Sequence, residues 1–246
     1  MRICIIRPIA PSAGAPLSTH TVTAGAGTEL STVSLYDHPP SVESRADQAM
    51  AAPGVIRRAI EAQRDGCDAI VIDCMDDPGL QPARELVDIP VVGAAQASLH
   101  IAAMLGHRFS IVGTAERDAP SFEDLVRAYR LEGRLASVRW VGIPVHELED
   151  ERRVYPAFAR ASAQAVADGA HVIVPGCTLL TGHSRRLCDE LAAAGSPGVV
   201  AVDPIHCAVR MAEALVELGL THSKRSYPYP GQERATGPSA YLATLA

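Results

Sequence analysis

Two ten-residue stretches of this chain repeat each other: Asp65-Gly66-Cys67-Asp68-Ala69-Ile70-Val71-Ile72-Asp73-Cys74 and Asp168-Gly169-Ala170-His171-Val172-Ile173-Val174-Pro175-Gly176-Cys177. In both, an Asp-Gly turn leads into a short β-branched run, and a cysteine stands nine residues after the Asp. The surroundings repeat as well. Arg2-Ile3-Cys4-Ile5-Ile6-Arg7-Pro8 opens the first half as Arg108-Phe109-Ser110-Ile111-Val112-Gly113-Thr114 opens the second, and Val91-Val92-Gly93 and Val199-Val200-Ala201 each lead into a helical stretch. A repeat on this scale points to duplication of a structural unit.

The unit is an alternation of strand and helix. Apolar runs at Ile3–Ile6, Ala69–Ile72, Val91–Val92, Ser110–Val112, Val172–Val174 and Val199–Val202 read as strands. Between them the pattern predicts helices over about 44–65, with Pro53-Gly54 a candidate interruption, and over about 95–105, 121–130, 156–168, 183–194 and 205–218, the last closed by Gly219. Such alternation predicts an α/β fold of two pseudosymmetric lobes, each a short parallel sheet flanked by helices. The expected boundaries are 1–95 with 205–225 for the first lobe and 96–204 for the second, and 226–246 reads as a C-terminal arm or tail. Ligands of open parallel sheets bind at the carboxyl ends of the strands, where both repeated cysteines fall, so the expected active site is a cleft between the lobes.

Composition removes other functions. A net charge of -6 over 246 residues gives nucleic acid no basic field, and no apolar run reaches the roughly 20 residues that cross a bilayer. The expected protein is cytoplasmic, with its six cysteines (positions 4, 67, 74, 177, 188 and 207) reduced. No CxxC or HExxH occurs, His146-Glu147 being followed by Leu148-Glu149-Asp150, so no metal site is expected. Ala24-Gly25-Ala26-Gly27 supplies only G-x-G, a weak basis for nucleotide binding.

Two opposed thiols suit proton transfer at carbon. One thiolate removes an α-proton from one face while the other thiol protonates the opposite face, and with an ordinary pKa of about 8.5 either can take either role near neutral pH. Backbone N–H groups after each cysteine, in Met75-Asp76-Asp77 and Thr178-Leu179-Leu180, are the expected stabilisers of the resulting anion. Cys4, Cys67, Cys188 and Cys207 read as small core residues; Asp73, Asp76 and Asp77 read first as turn or cap residues, and His183 as a helix cap or surface group.

Over nearly its whole length the sequence resembles the hydantoin racemase branch of the aspartate/glutamate racemase superfamily. Pro40-Ser41-Val42-Glu43-Ser44 through Ala52-Pro53-Gly54 is similar to the family's segment before its first catalytic strand, and Asp73-Cys74-Met75-Asp76-Asp77-Pro78-Gly79-Leu80 to its Cys-Phe-Gly-Asp-Pro-Gly-Leu. Pro90-Val91-Val92-Gly93, Arg108-Phe109-Ser110-Ile111-Val112, Val174-Pro175-Gly176-Cys177, Gly219-Leu220 and Ser223-Lys224-Arg225 match too. The resemblance implies a cofactor-free racemase or epimerase with Cys74 and Cys177 catalytic, a small-molecule substrate and a homo-oligomer. The substrate class is a 5-substituted hydantoin, an allantoin-like ureide or an amino-acid derivative. Arg7, Met75, Asp76, Thr114, Thr178 and Leu179 are the candidate substrate-binding residues.

The sequence departs from the family where substrate is held. Arg7-Pro8-Ile9-Ala10 stands for Asn-Pro-Asn-Thr, Gly113-Thr114 for Thr-Thr, and Gly176-Cys177-Thr178-Leu179-Leu180 for Gly-Cys-Ala-Gly-Met, which is closer to the Gly-Cys-Thr of amino-acid racemases. Arg7 is therefore expected either to grip an anionic substrate group or to turn outward to a surface carboxylate. Alternative activities are a cis–trans isomerase or an arylmalonate-type decarboxylase of the same superfamily, or a non-catalytic ligand-binding relative.

Overall fold

A computed structural model of the chain describes residues 1–9, 22–35 and 41–230. Ala10, Pro40 and the 231–246 portion of the expected C-terminal arm lie outside the described residues. In chain order the elements are β1 (Arg2–Arg7), β2 (Glu29–Ser34), α1 (Arg45–Arg64), β3 (Ala69–Ile72), α2 (Leu80–Leu86), β4 (Val91–Gly93), α3 (Ala94–Leu105), β5 (Phe109–Gly113), α4 (Ala119–Ala128), β6 (Leu135–Trp140), α5 (Glu151–Ala167), β7 (Val172–Pro175), α6 (Ser184–Ala193), β8 (Val200–Ala201) and α7 (Pro204–Glu217). They form two four-stranded sheets ordered β2-β1-β3-β4 and β6-β5-β7-β8, every pair parallel. The chain divides into two compact units: Met1–Gly93 together with the chain from Ala208, and Ala94–Cys207.

The repeated Asp-Gly pairs end the helices that precede the central strands. Asp65 caps α1 and Gly66 follows at φ 80°, letting the Cys67 N–H reach back to the Ala62 carbonyl at 3.0 Å. Asp168 caps α5 and Gly169 follows at φ 97°, with the Ala170 N–H on the Ala165 carbonyl at 3.1 Å. Both are left-handed closures in which a side chain would be strained, so glycine recurs. The chain then enters β3 and β7, which are buried along their full length, as strands covered on both faces must be.

Each sheet buries its own core. In the first lobe Ile6, Val55, Ile70, Ile72 and Leu80 pack together, and in the second Val112, Phe158, Ile173, Leu180 and Leu187 do. Each fully buried side chain of this size contributes about 1.5–3 kcal/mol. Pro53-Gly54 does not interrupt α1: a Cβ on Gly54 would lie 2.9 Å from Leu35 Cδ1, so the glycine is where Leu35 seats against the helix. After α7, the His222 Nε2 accepts the Val91 N–H at 2.8 Å, and the Lys224 ammonium donates to the carbonyls of Arg84 and Val87 at 2.9 and 2.7 Å.

Three elements are absent from the sequence reading. β2 and β6 are edge strands whose residues are mostly half-buried, so they lack the continuous apolar run of β3 and β7. The seven residues of α2 are too few to show a helical period, and they carry Pro82. α5 starts five residues before the expected 156, because Asp150 accepts the Arg152 N–H and caps an earlier turn, leaving Pro156 inside the helix.

Candidate active site

The strand register sets each cysteine two residues beyond the last pairing of its central strand. In the first lobe Ile6 pairs Ile72 and the Asp73 N–H donates to the Ile6 carbonyl at 2.9 Å. In the second Val112 pairs Pro175 and the Gly176 N–H donates to the Val112 carbonyl at 2.7 Å. Cys74 and Cys177 follow directly, both free thiols and both half-buried. Each carbonyl then accepts the N–H three residues on: Cys74 from Asp77 at 3.2 Å, Cys177 from Leu180 at 3.0 Å. The duplication therefore extends to the backbone turn that presents each thiol.

The turns are held differently. After Cys74, buried Asp77 sits at φ 45°, its carbonyl receives the first N–H of α2 from Leu80, and Gln48 Nε2 donates to the Asp76 carbonyl at 2.7 Å. A Cβ on Gly93 would stand 2.3 Å from the Asp77 carboxyl group, so a larger residue at the end of β4 would displace that side chain. After Cys177, Thr178–Leu180 forms a single 3-10 turn. Asp203 Oδ1 fixes its far end by accepting the Gly182 N–H at 3.0 Å and the Ser184 hydroxyl at 2.7 Å. The bonds of that turn begin at the Leu180 N–H, so they do not use those of Thr178 and Leu179.

Among the expected substrate-binding residues, Arg7, Met75 and Asp76 gather beside Cys74 in the first lobe. Met75 is buried and Asp76 is half-buried. Thr178 and Leu179 follow Cys177 directly, the first buried and the second half-buried. Thr114 directly follows β5, and its buried hydroxyl donates to Asp118 Oδ2 at 2.9 Å, closing the turn into α4. Arg7 does not turn outward to a surface carboxylate. Its Nε donates to Asp73 Oδ2 at 3.1 Å, with the two side chains 12% and 10% exposed, so its charge is met by an inward carboxylate rather than a surface one. Asp73 is correspondingly an ion-pair partner and not only a turn residue. Arg7 is visible in the sequence as an oddity, but pairing it with a residue 66 positions away requires the β1–β3 register.

Three of the remaining thiols are held towards the neutral form. Burial pushes Cys4 up to about 11, helped by neighbouring Cys67, and burial with the nearby Asp203 carboxylate pushes Cys207 up to about 11. Burial also raises Cys67. Among the described residues no three His, Cys, Asp or Glu side chains are grouped to hold a metal ion, and no helix is long and apolar enough to cross a membrane.

A family model described as Asp/Glu/Hydantoin racemase matches residues 17–212. A hydantoin racemase of Rhizobium meliloti is 37% identical over 245 residues, covering 96% of this chain and 98% of that protein. One from Paenarthrobacter aurescens is 36% identical over 244 residues, 95% of this chain and 99% of its own length. The solved structure of an allantoin racemase from Klebsiella pneumoniae superposes with a TM-score of 0.84 at 32% identity over 98% of both chains.

Proposed function

Since this chain belongs to the Asp/Glu/Hydantoin racemase family, and is therefore a racemase and an isomerase, we propose that Cys74 and Cys177 are its acid–base pair. One thiolate takes the α-proton of a small carbon acid: the C–H bond breaks, an S–H bond forms, and the electron pair moves onto the adjacent carbonyl oxygen. The second thiol then gives its proton to the opposite face of that carbon, leaving the enantiomer and an inverted pair of protonation states. The cycle is redox-neutral and needs no cofactor. Positioned proton transfer of this kind contributes on the order of 10²–10⁴-fold each way.

The observation that carries this reading is the duplicated presentation of the two thiols: the same strand position, the same half-burial and the same carbonyl bonded three residues on. Filler cysteines have no reason to share all three. The Thr178 and Leu179 N–H groups are suited to the enolate-like oxygen, because a 3-10 turn does not consume its first donors. The substrate is a hydantoin, an allantoin-like ureide or an amino-acid derivative, by kinship with relatives named for hydantoin and allantoin. The alternative decarboxylase and cis–trans isomerase activities are not favoured beside near full-length racemase relatives.

The test is incubation of single enantiomers of hydantoins, ureides and amino acids with the protein in deuterated water. A racemase incorporates deuterium at the α-carbon as optical rotation decays to zero. No exchange with any member of the panel would overturn the assignment.

A further inference from the structure

Directly before the two cysteines, the Arg7–Asp73 pair breaks the symmetry of the repeated architecture. At the equivalent positions of the second lobe stand Gly113 and Gly176, so close that a Cβ on Gly176 would lie 2.7 Å from Gly113 Cα. The first lobe instead carries a nine-tenths buried carboxylate immediately before Cys74, with Oδ2 held by Arg7 Nε at 3.1 Å. Its other oxygen, Oδ1, is buried and accepts no hydrogen bond from any described residue. A buried carboxylate oxygen left unpaired is costly, so Oδ1 calls for a donor from outside the described side chains.

From this we infer that Asp73 Oδ1 is the acceptor for an N–H borne by the substrate's reacting carbon, with Arg7 acting as the positioning residue that holds the carboxylate in place. The inference rests on the racemase reading and deepens it by assigning the residue that recognises the substrate's nitrogen. A carboxylate in an ion pair only accepts hydrogen bonds, so its missing partner is a donor. Asp73 and Cys74 are chain neighbours, with Cα atoms about 3.8 Å apart. In the proposal, the group recognised by Asp73 lies next to the carbon whose proton Cys74 transfers. The substrate class is a carbon acid with nitrogen on the reacting carbon, either a ureide N–H or an ammonium. A carboxylate in that place would meet Asp73 unfavourably, and the pair as a whole offers no net positive charge.

The experiment compares kcat/KM for 5-benzylhydantoin, whose N1–H adjoins the reacting carbon, with that for its 1-methyl derivative, and adds phenylalanine for the ammonium form. The three compounds are run with wild-type protein and with D73N. In the variant the side-chain oxygen stays on Arg7 and the amide NH₂ replaces Oδ1, turning acceptor into donor. Wild type prefers the N–H hydantoin over the N-methyl compound by about 10–100-fold, the range of one hydrogen bond to a charged group, and D73N brings the two within about threefold. Equal wild-type rates for the two hydantoins overturn the inference, as does a D73N that folds and slows both by the same factor, the mark of a structural role. The wild-type ratio needs no variant, so equal wild-type rates overturn the inference even where D73N fails to fold. Exchange confined to compounds without the N–H overturns the inference and leaves the racemase reading standing, whereas no exchange at all removes both.

Discussion

Asp73 and Gly176 hold the same place in the two lobes, each donating its N–H across to the neighbouring first strand, to Ile6 at 2.9 Å and to Val112 at 2.7 Å, directly before a cysteine. One position is filled by an ion pair with Arg7 and the other by a close backbone approach to Gly113. The thiols are thus presented alike by supports of opposite chemistry: charge in the first lobe, absence of side chain in the second.

Gly176→Ala tests the second support. The new Cβ would meet Gly113 Cα at 2.7 Å and Gly113 N at 3.0 Å, both backbone atoms, so β5 and β7 must part at the end that leads to Cys177. We expect a loss of about 1–3 kcal/mol in urea unfolding, the usual cost of overpacking, together with a fall in racemisation rate. Gly133→Ala serves as the control, because nothing lies within 4 Å of its Cβ. Equal stability of the two variants would show that the Gly113–Gly176 approach relaxes without consequence.

Much of this was legible in the sequence for a physical reason. Central parallel strands such as Ala69–Ile72 and Val172–Pro175 are buried on both faces and leave unbroken apolar runs, and the closures at Gly66 and Gly169 demand glycine, so duplication kept both signals. Edge strands β2 and β6 carry neither signal, since a half-exposed strand tolerates Glu29, Ser31 and Arg139. The cysteine positions could be read from spacing, whereas the Arg7–Asp73 pair could not, because it is a contact between strands and not a pattern along one. Likewise the bond from Thr114 to Asp118 depends on how the chain turns after β5.

Cys74→Ala and Cys177→Ala are each expected to abolish racemisation, by on the order of 10²-fold or more, while changing stability little, because both thiols are half-buried. Each variant is still expected to exchange the α-proton of one enantiomer with deuterated solvent, since the base on one face survives. Nuclear magnetic resonance of both enantiomers, run separately, reads the two behaviours. Wild-type racemisation by either folded variant would remove the two-thiol mechanism.

Thiol labelling separates the proposed pair from Cys4 and Cys207. With pKa values pushed up to about 11 by burial, Cys4 and Cys207 hold on the order of one thiolate in a thousand molecules near pH 8, so iodoacetamide at that pH is expected to spare them. Peptide mapping should find Cys74 and Cys177 modified, more slowly when substrate is present. The same raised values fix a stability trend. The folded state keeps its protons above the ordinary thiol range near 9, so this contribution is complete below about pH 9 and is lost as pH rises towards about 11. Prior modification of Cys4 or Cys207 in folded protein would contradict their raised values.

The C-terminal segment supplies an acid-side prediction. His222 is lowered to about 4, first by burial and then by the Arg84 and Lys224 charges, and its Nε2 accepts the N–H of Val91 and so must carry no proton there. A folded value below the unfolded 6.5 means that the unfolded chain binds the proton first as pH falls. The stability contribution is therefore present above about pH 6.5 and disappears as pH drops towards about 4. His222→Phe removes both the titration and the bond, leaving the Val91 N–H without its acceptor, at a cost of about 1–3 kcal/mol at pH 7.5. Urea midpoints from pH 4 to 8 should show a step in wild type that is missing in the variant, the two curves converging at the acid end. A variant curve that runs parallel to wild type over the whole range would mean that acid sensitivity lies elsewhere in the chain.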